Sequence, residues 1–316
     1  MVSIIITTYK EPKSLPKAIE AFLNDIRNSE KFVIGRKTLP EGQMFEILVV
    51  GPDKATAGIA EGFSKKYPQV KYLEDQGRGK PAALNMAFKK AQGKILVLSD
   101  GDVWIGEGSL EKVLEPLKDG SVGAVSGRPI SINSREEMFG YWSHFLTEAA
   151  HEMRLTSKNF PCSGYLYALR RDLISKIPED ILSEDAFITQ IIRNKDYKVV
   201  YVPGAQVYVK YPDNFRDWLK QKVRSTGGYQ QKLLKFPPAR PAREADPPSA
   251  EKMRGLWQEI RGGVKLFFTY PKNLKEFWWT ILLYFARIYL WLAIFWNIKI
   301  RKKKFADIWQ PVESTK

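Results

Sequence analysis

The sequence predicts an α/β protein, built on a mostly parallel sheet flanked by helices and followed by an apolar, helical C-terminal segment. Three observations carry this. Short apolar runs alternate with helix-period patterns through the first hundred residues. Those runs are apolar on both faces, as strands buried in a parallel sheet are. The last 66 residues combine the most apolar stretch of the chain with 13 Lys and Arg against 5 Asp and Glu.

The elements follow in order. VSIIITTY (2–9) reads as the first strand, Ser14 to about Arg27 as a helix, MFEILVVG (44–51) as the second strand, and 55–66 as a helix. VKYLE (70–74), a helix from about Pro81 to Ala91, and KILVLSD (94–100) continue the alternation. Ligands of such sheets sit beyond the carboxyl ends of the strands. Thr7, Tyr9 and Glu11 leave the first strand there, Asp53 the second, and Asp100 and Asp102 the fourth. Past residue 102 the order changes: VGAVSG (122–127), a helical pattern at 136–155, a strand at 164–170, a helix at 184–194 and the β-rich KVVYVPGAQVYVKY (198–211). These predict an α+β insertion against one side of the sheet. Five prolines in residues 236–250 exclude regular structure there and predict a linker or loop between a domain at 1–235 and helices at 251–316.

With 50 Lys and Arg against 35 Asp and Glu the formal charge is +15, which favours an anionic partner. Its concentration beside the apolar C-terminal stretch suits a membrane surface and argues against nucleic acid. Residues 277–298 hold eleven Leu, Ile or Phe, each worth about −0.3 to −0.6 kcal/mol on insertion, against about +2.5 to +3.5 for the central Arg287. Basic residues flank both ends, so charge gives no orientation. A spanning helix, a re-entrant segment, an interfacial helix and a core or dimer helix all remain open. The N-terminus, MVSIIITTYK, lacks the basic and apolar regions of a secretory signal, and the single cysteine, Cys162, fits a reducing compartment. The expectation is a cytoplasmic catalytic domain associated with a membrane, of undetermined oligomeric state.

Four clusters carry the chemistry. Asp100 and Asp102 end a buried strand, where two carboxylates are costly unless neutralised. Mg²⁺ or Mn²⁺, held by one or two carboxylates and by substrate phosphates, answers that cost. Ser183, Glu184 and Asp185 open a helix, Ser183 as N-cap, and the acids are candidates for a general base. Gln221 and Arg224 end a helical stretch, with Arg224 placed to clamp a phosphate. Arg78 and Lys80 precede a helix N-terminus, an anion site. His144, His151, Glu148 and Glu152 share one helical pattern, where pairing along the exposed helix face outweighs metal ligation.

IIITTYKE, VVGPD, GRGKPAALN, SDGD, CSGYLYALRR, SED and QKVRS, in that order over residues 4–225, resemble the family-2 glycosyltransferases of GT-A fold. Their membrane-bound branch of cellulose, chitin and hyaluronan synthases is similar. The resemblance implies a Rossmann-type GT-A domain and inverting transfer of a sugar from a nucleotide-diphosphate donor to an acceptor hydroxyl. It places Thr7, Tyr9, Glu11 and Asp53 on base and ribose, and Lys80 on the donor. Asp100 falls on the ribose or metal side and Asp102 on the cation. Asp185 becomes the general base, with Glu184 beside it, and Arg224 with Gln221 steadies the departing diphosphate. Ser225 stands where the processive synthases carry Trp, and the chain offers at most one or two membrane helices. Both departures favour addition of one or a few sugars to a lipid-linked acceptor. A haloacid-dehalogenase-like phosphatase, suggested by DGDVW, and a non-catalytic nucleotide-binding membrane scaffold are the alternatives. No glycine fingerprint of dinucleotide or P-loop enzymes follows a predicted strand.

Overall fold

A computed structural model describes residues 1–32, 45–157, 160–235 and 264–296, with positions 300, 312, 314 and 315. The predicted linker at 236–250 and the basic residues Lys299 and Arg301 to Lys304 lie outside the described residues, as do residues 251–263.

One eight-stranded sheet organises the chain, in the order β3-β2-β1-β4-β7-β6-β8-β5. The strands are β1 Val2–Thr7, β2 Phe45–Gly51, β3 Val70–Glu74, β4 Ile95–Asp100, β5 Val103–Ile105, β6 Val122–Ser131, β7 Leu166–Arg170 and β8 Lys198–Val209. The β3-β2-β1-β4 half is parallel throughout, while β7 runs antiparallel between β4 and β6, and β5 antiparallel to β8. The residues beyond 102 therefore extend the same sheet, instead of forming an insertion laid against it. The sequence hid this because β7 and β6 each pair with strands distant in the chain, which composition cannot reveal.

The helices are α1 Leu15–Phe32, α2 Lys54–Lys66, α3 Lys80–Lys90, α4 Ser109–Leu114, α5 Met138–Thr156, α6 Glu184–Asn194, α7 Phe215–Lys235 and α8 Leu274–Phe295. α1 runs past the expected stop at Arg27, and its apolar stripe of Ile19, Phe22, Leu23 and Ile26 is buried in the core with residues of β1, β2 and β5. α3 and α6 cover the other face through Leu84, Phe88, Ile188 and Ile192. Burying each such side chain contributes about 1.5–3 kcal/mol. α4 and β5 were not predicted: they are short, and α4 is started by a distant residue. Asp25 on α1 is only 4% exposed, and its carboxylate accepts the N–H groups of Gly108 and Leu110. Burial pushes this carboxyl above its usual range, and the two N–H groups pull it back.

The amino end of the sheet is sealed by a buried polar knot. Glu46, 2% exposed, accepts from Ser3 Oγ at 2.6 Å, from the Gln92 N–H at 2.7 Å and from Lys71 at 3.1 Å.

α8 packs on α5 and α7. Its buried side chains, Glu276, Thr280, Leu283, Ala286, Leu290 and Ile294, form one stripe at helical spacing. The opposite stripe is also apolar yet exposed, from Trp278 at 63% through Phe285 at 66% to Leu292 at 62%. The docked face carries polar fasteners. Arg135 binds Glu276 through two nitrogens at 2.8 and 2.9 Å and lies over the Tyr270 ring. Tyr141 shares a 2.6 Å hydrogen bond with Thr280, and Trp142 Nε1 donates to the Trp279 carbonyl.

Candidate active site

The carboxyl ends of β1, β2 and β4 deliver their side chains to one cleft, and α6 and α7 close it from the other side. Thr7, the last residue of β1, faces Asp100, the last residue of β4, in register. Its hydroxyl donates to Asp100 Oδ1 at 2.9 Å. The Lys80 ammonium lies 2.7 Å from the same oxygen and 2.7 Å from Glu184 Oε1. A single lysine thus joins the end of β4 to the start of α6, and both carboxylates hold its proton more firmly than usual despite burial. Gly79, at φ +96, sets this lysine at the head of α3. That conformation favours glycine.

Between β1 and the Asp100–Asp102 turn the backbone approaches closely. A Cβ on Gly101 would meet the Thr8 side chain at 2.7 Å and Glu11 Oε2 at 2.8 Å. Glu11 therefore sits against the acidic pair. Burial first, then Asp102 and Asp100, push its carboxyl up to about 9. Asp102 is pushed up to about 6 by burial and Asp100, with Lys80 and Arg224 acting against this. Three carboxylates thus lie near one another, with Lys80 and Arg224 offsetting part of their charge, and carboxylate oxygens are the ligand type that Mg²⁺ and Mn²⁺ take. The sequence left Glu11 on the nucleotide side; the geometry brings it beside Asp100 and Asp102.

Asp53 and Tyr9 stand further along the same edge. The Asp53 carboxylate caps α2, accepting from Thr56 N–H at 3.0 Å and from Lys10 N–H at 2.8 Å. These bonds outweigh burial and hold it below the usual range. Lys10 adopts φ +55, an uncommon non-glycine conformation that turns the chain out of β1. Tyr9 is 36% exposed at the cleft mouth.

On the far side, Glu184 is 7% exposed and neutralised by Lys80, whereas Asp185 is half-buried. Asp185 Oδ1 accepts the N–H of Ala186, its backbone carbonyl accepts from Thr189 Oγ1, and its carboxylate lies over Gly164. The expected cap from Ser183 is absent: its hydroxyl points instead to the Ser225 carbonyl on α7, at 3.4 Å. Helix α6 is thereby tied to the turn that carries Arg224. Arg224 is half-buried within electrostatic reach of Asp102 and Tyr165, and Gln221, one turn earlier, is 8% exposed, its Oε1 without a hydrogen-bond partner among the described residues.

Sequence reasoning missed Tyr165. Its phenol is held protonated by burial and by Asp102, Asp100 and Asp185 around it, with Arg224 opposing, and its ring meets Tyr211 edge-on. It lies inside CSGYLYALRR, in the turn just before β7. Arg78 is drawn away from the cleft to Glu179 at 3.1 Å. The His144 group does not pair along its own helix as expected. His144 meets the Asn133 carbonyl, His151 meets Tyr201, and Glu148 meets Arg128. Glu148, His151 and Glu152 converge closely enough for a metal, but two of the three are already engaged.

Residues 3–177 match the model of glycosyl transferase family 2, and residues 94–299 that of glycosyl transferase family group 2. A probable glycosyltransferase of Bacillus subtilis, YdaM, is 25% identical over 74% of this chain and 56% of its own length. A dolichol-phosphate mannosyltransferase of Pyrococcus furiosus is 25% identical over 64% of this chain and 55% of its own. The chain thus spans little more than half the length of these relatives. Among solved structures, a mannosyltransferase of Pyrobaculum calidifontis in complex with GDP-Man and Mn²⁺ is similar, with a TM-score of 0.57, 18% identity and coverage of 97% of this chain and 82% of that one. The fold is GT-A-like. By its sequence match over more than half its length, the chain belongs to glycosyl transferase family 2.

Proposed function

We propose that the protein is an inverting, cation-dependent hexosyltransferase that moves a sugar from a UDP- or GDP-sugar to a hydroxyl of a lipid-linked or saccharide acceptor at a membrane surface. The observation that carries this reading is the division of labour across one cleft. Asp100, Asp102 and Glu11 crowd one wall, Arg224 on α7 is within electrostatic reach of Asp102, and Asp185 at the start of α6 is near enough to act with them on Tyr165. The mannosyltransferase and glycosyltransferase relatives support a nucleotide-sugar donor.

Asp102 and Asp100 would hold Mn²⁺ or Mg²⁺, with Glu11 adding charge, and such an ion supplies neutralisation of the donor diphosphate. Thr7, Tyr9 and Asp53 border the place of base and ribose. Asp185 takes the proton of the acceptor hydroxyl as its oxygen bonds to the anomeric carbon. The bond from that carbon to the phosphate oxygen breaks on the opposite face, and the nucleoside diphosphate leaves. Arg224, with Gln221, offers N–H donors to the charge that develops there. Glu184 is held beside Asp185 by Lys80, which it shares with Asp100.

The acceptor reading rests on α8. It is long and apolar enough to cross a membrane, and its exposed stripe borders an apolar pocket of about 260 Å³ lined by Phe267, Phe268, Tyr284 and Phe285, among others. An acyl or isoprenoid chain fits that lining. The test is to incubate the purified protein with Mn²⁺ and a panel of UDP-, GDP- and dTDP-sugars, with and without lipid extract, following nucleotide release and the anomeric configuration of the product. Release from none of them would leave the scaffold alternative standing, and retained configuration would remove the inverting assignment.

A further inference from the structure

Lys80 is placed to do more than touch the donor. Its side chain is 28% exposed, and its two 2.7 Å contacts go to carboxylates on opposite walls of the cleft. Asp100 Oδ1 is therefore already occupied, by an ammonium and by the Thr7 hydroxyl. Asp102, two residues on, has no cationic side chain within 4 Å among the described residues. Glu184 is held in the same grip.

We propose that Lys80 is a positioning residue that acts as the resident counter-ion of the cleft. It competes with a divalent cation for Asp100 and fixes Glu184, so that the cation binds firmly only together with a nucleotide diphosphate. The physical reason is charge balance. A bare cation entering beside Asp100 meets an ammonium a few ångströms away, and like charges at that separation repel. A diphosphate brings negative charge that offsets both positive groups, so lysine and ion then act on the same ligand. The inference rests on the glycosyltransferase reading only for the identity of that diphosphate.

The experiment compares full-length protein with Lys80→Met, measuring Mn²⁺ alone by calorimetry, then UDP and GDP in the presence of Mn²⁺. Loss of the ammonium should tighten Mn²⁺ alone by about tenfold or more, the scale of a neighbouring charge on a carboxylate. It should weaken the nucleotide diphosphate by at least as much. Lys80→Arg should restore both values toward wild type. The opposed signs separate this role from a merely structural one, which would weaken both. Unchanged or weaker Mn²⁺ binding in Lys80→Met overturns the proposal. Because two buried carboxylates lose their partner, Lys80→Met is also made on Glu184→Gln, where a single one is stranded. There too Mn²⁺ should bind more tightly than to Glu184→Gln alone. If wild type binds no nucleotide diphosphate, the functional reading fails, and the Mn²⁺ comparison still decides the role of Lys80.

Discussion

Two neighbouring acids at the start of α6 separate by what touches them. Glu184 shares Lys80 with Asp100, so replacing it removes half of a bridge; Asp185 faces the cleft. Asp185→Asn should abolish transfer, by a factor of about 10²–10⁴ for a lost general base, while Mn²⁺-dependent donor binding in calorimetry stays within twofold of wild type. Equal loss of donor binding would assign Asp185 to the substrate's ground state instead. Gly101 gives a second test, because its requirement is steric. Its φ is not in the left-handed region, yet any Cβ there meets Thr8 and Glu11 below 3.0 Å. Gly101→Ala should part β1 from the Asp100–Asp102 turn, costing about 1–3 kcal/mol as overpacking does and weakening Mn²⁺ and donor together. A thermal melt paired with a donor titration reads both.

Helices here are tied to one another by single buried carboxylates. Asp25 reaches from α1 to cap α4, and Asp25→Ala should cost about 1–2 kcal/mol, the scale of a lost cap, seen as a lower urea midpoint with the slope unchanged. Glu276 ties α8 to Arg135, and Arg135→Ala should cost more, about 3–5 kcal/mol, because it strands a buried carboxylate. None of these ties was legible in the sequence. Residues 25 and 108, or 135 and 276, carry no local sign that they meet, since Asp25, Arg135 and Glu276 are ordinary charged residues and Gly108 an ordinary turn glycine. The parallel half of the sheet was legible, because β1, β2 and β4 are apolar on both faces and alternate with helical periods. The acids at its carboxyl edge were legible for the same reason: charge at the end of an apolar run is conspicuous. Glu11 and Lys80 were visible as candidates, but their positions depend on how the chain turns after Thr7 and after Gly79, at φ values of +55 and +96 that composition does not announce. Tyr165 was hidden because the sequence reads it as part of a strand at 164–170, where an aromatic residue reads as core, whereas it sits in the turn before β7.

At the scale of the whole molecule, α7 links two surfaces. Trp218, on its α8 side, packs with Trp142 and Phe215, and one turn on, Gln221 and Arg224 reach the cleft. Residues near the end of the chain return to the same helix, with the Ser314 N–H bound to Asp217 at 3.0 Å. Burial acts to raise the Asp217 carboxyl, but Ser314 and Lys220 prevail and lower it to about 2. An acid depressed in the folded state stabilises above its unfolded pKa of about 3.9 and loses that contribution as pH falls toward 2. Melting temperature should therefore drop between about pH 4 and pH 2, and less steeply in Asp217→Asn, which is already weaker at neutral pH.

The exposed stripe of α8 makes the last prediction, about where the molecule works. Its buried stripe runs from Glu276 to Ile294 against α5 and α7, so the helix is held along its length by the catalytic domain. On the proposed function, a helix so held would meet a bilayer on its free side, with Trp278, Leu282, Phe285, Ile288 and Leu292 toward the acyl chains and Lys272 and Lys275 near its start toward anionic headgroups. The protein should therefore float with vesicles containing anionic lipid and less with neutral ones, and the difference should shrink in high salt. Leu282→Glu with Phe285→Glu should release it into the aqueous fraction. Those side chains are 46% and 66% exposed, so the melting temperature should hold within a degree or two, as surface substitutions shift stability by no more than about 0.5 kcal/mol. Transfer to a short water-soluble acceptor should persist in this variant while transfer to lipid extract falls. Vesicle binding that survives both substitutions would move the contact to another face of the molecule and leave the apolar stripe without a role at the membrane.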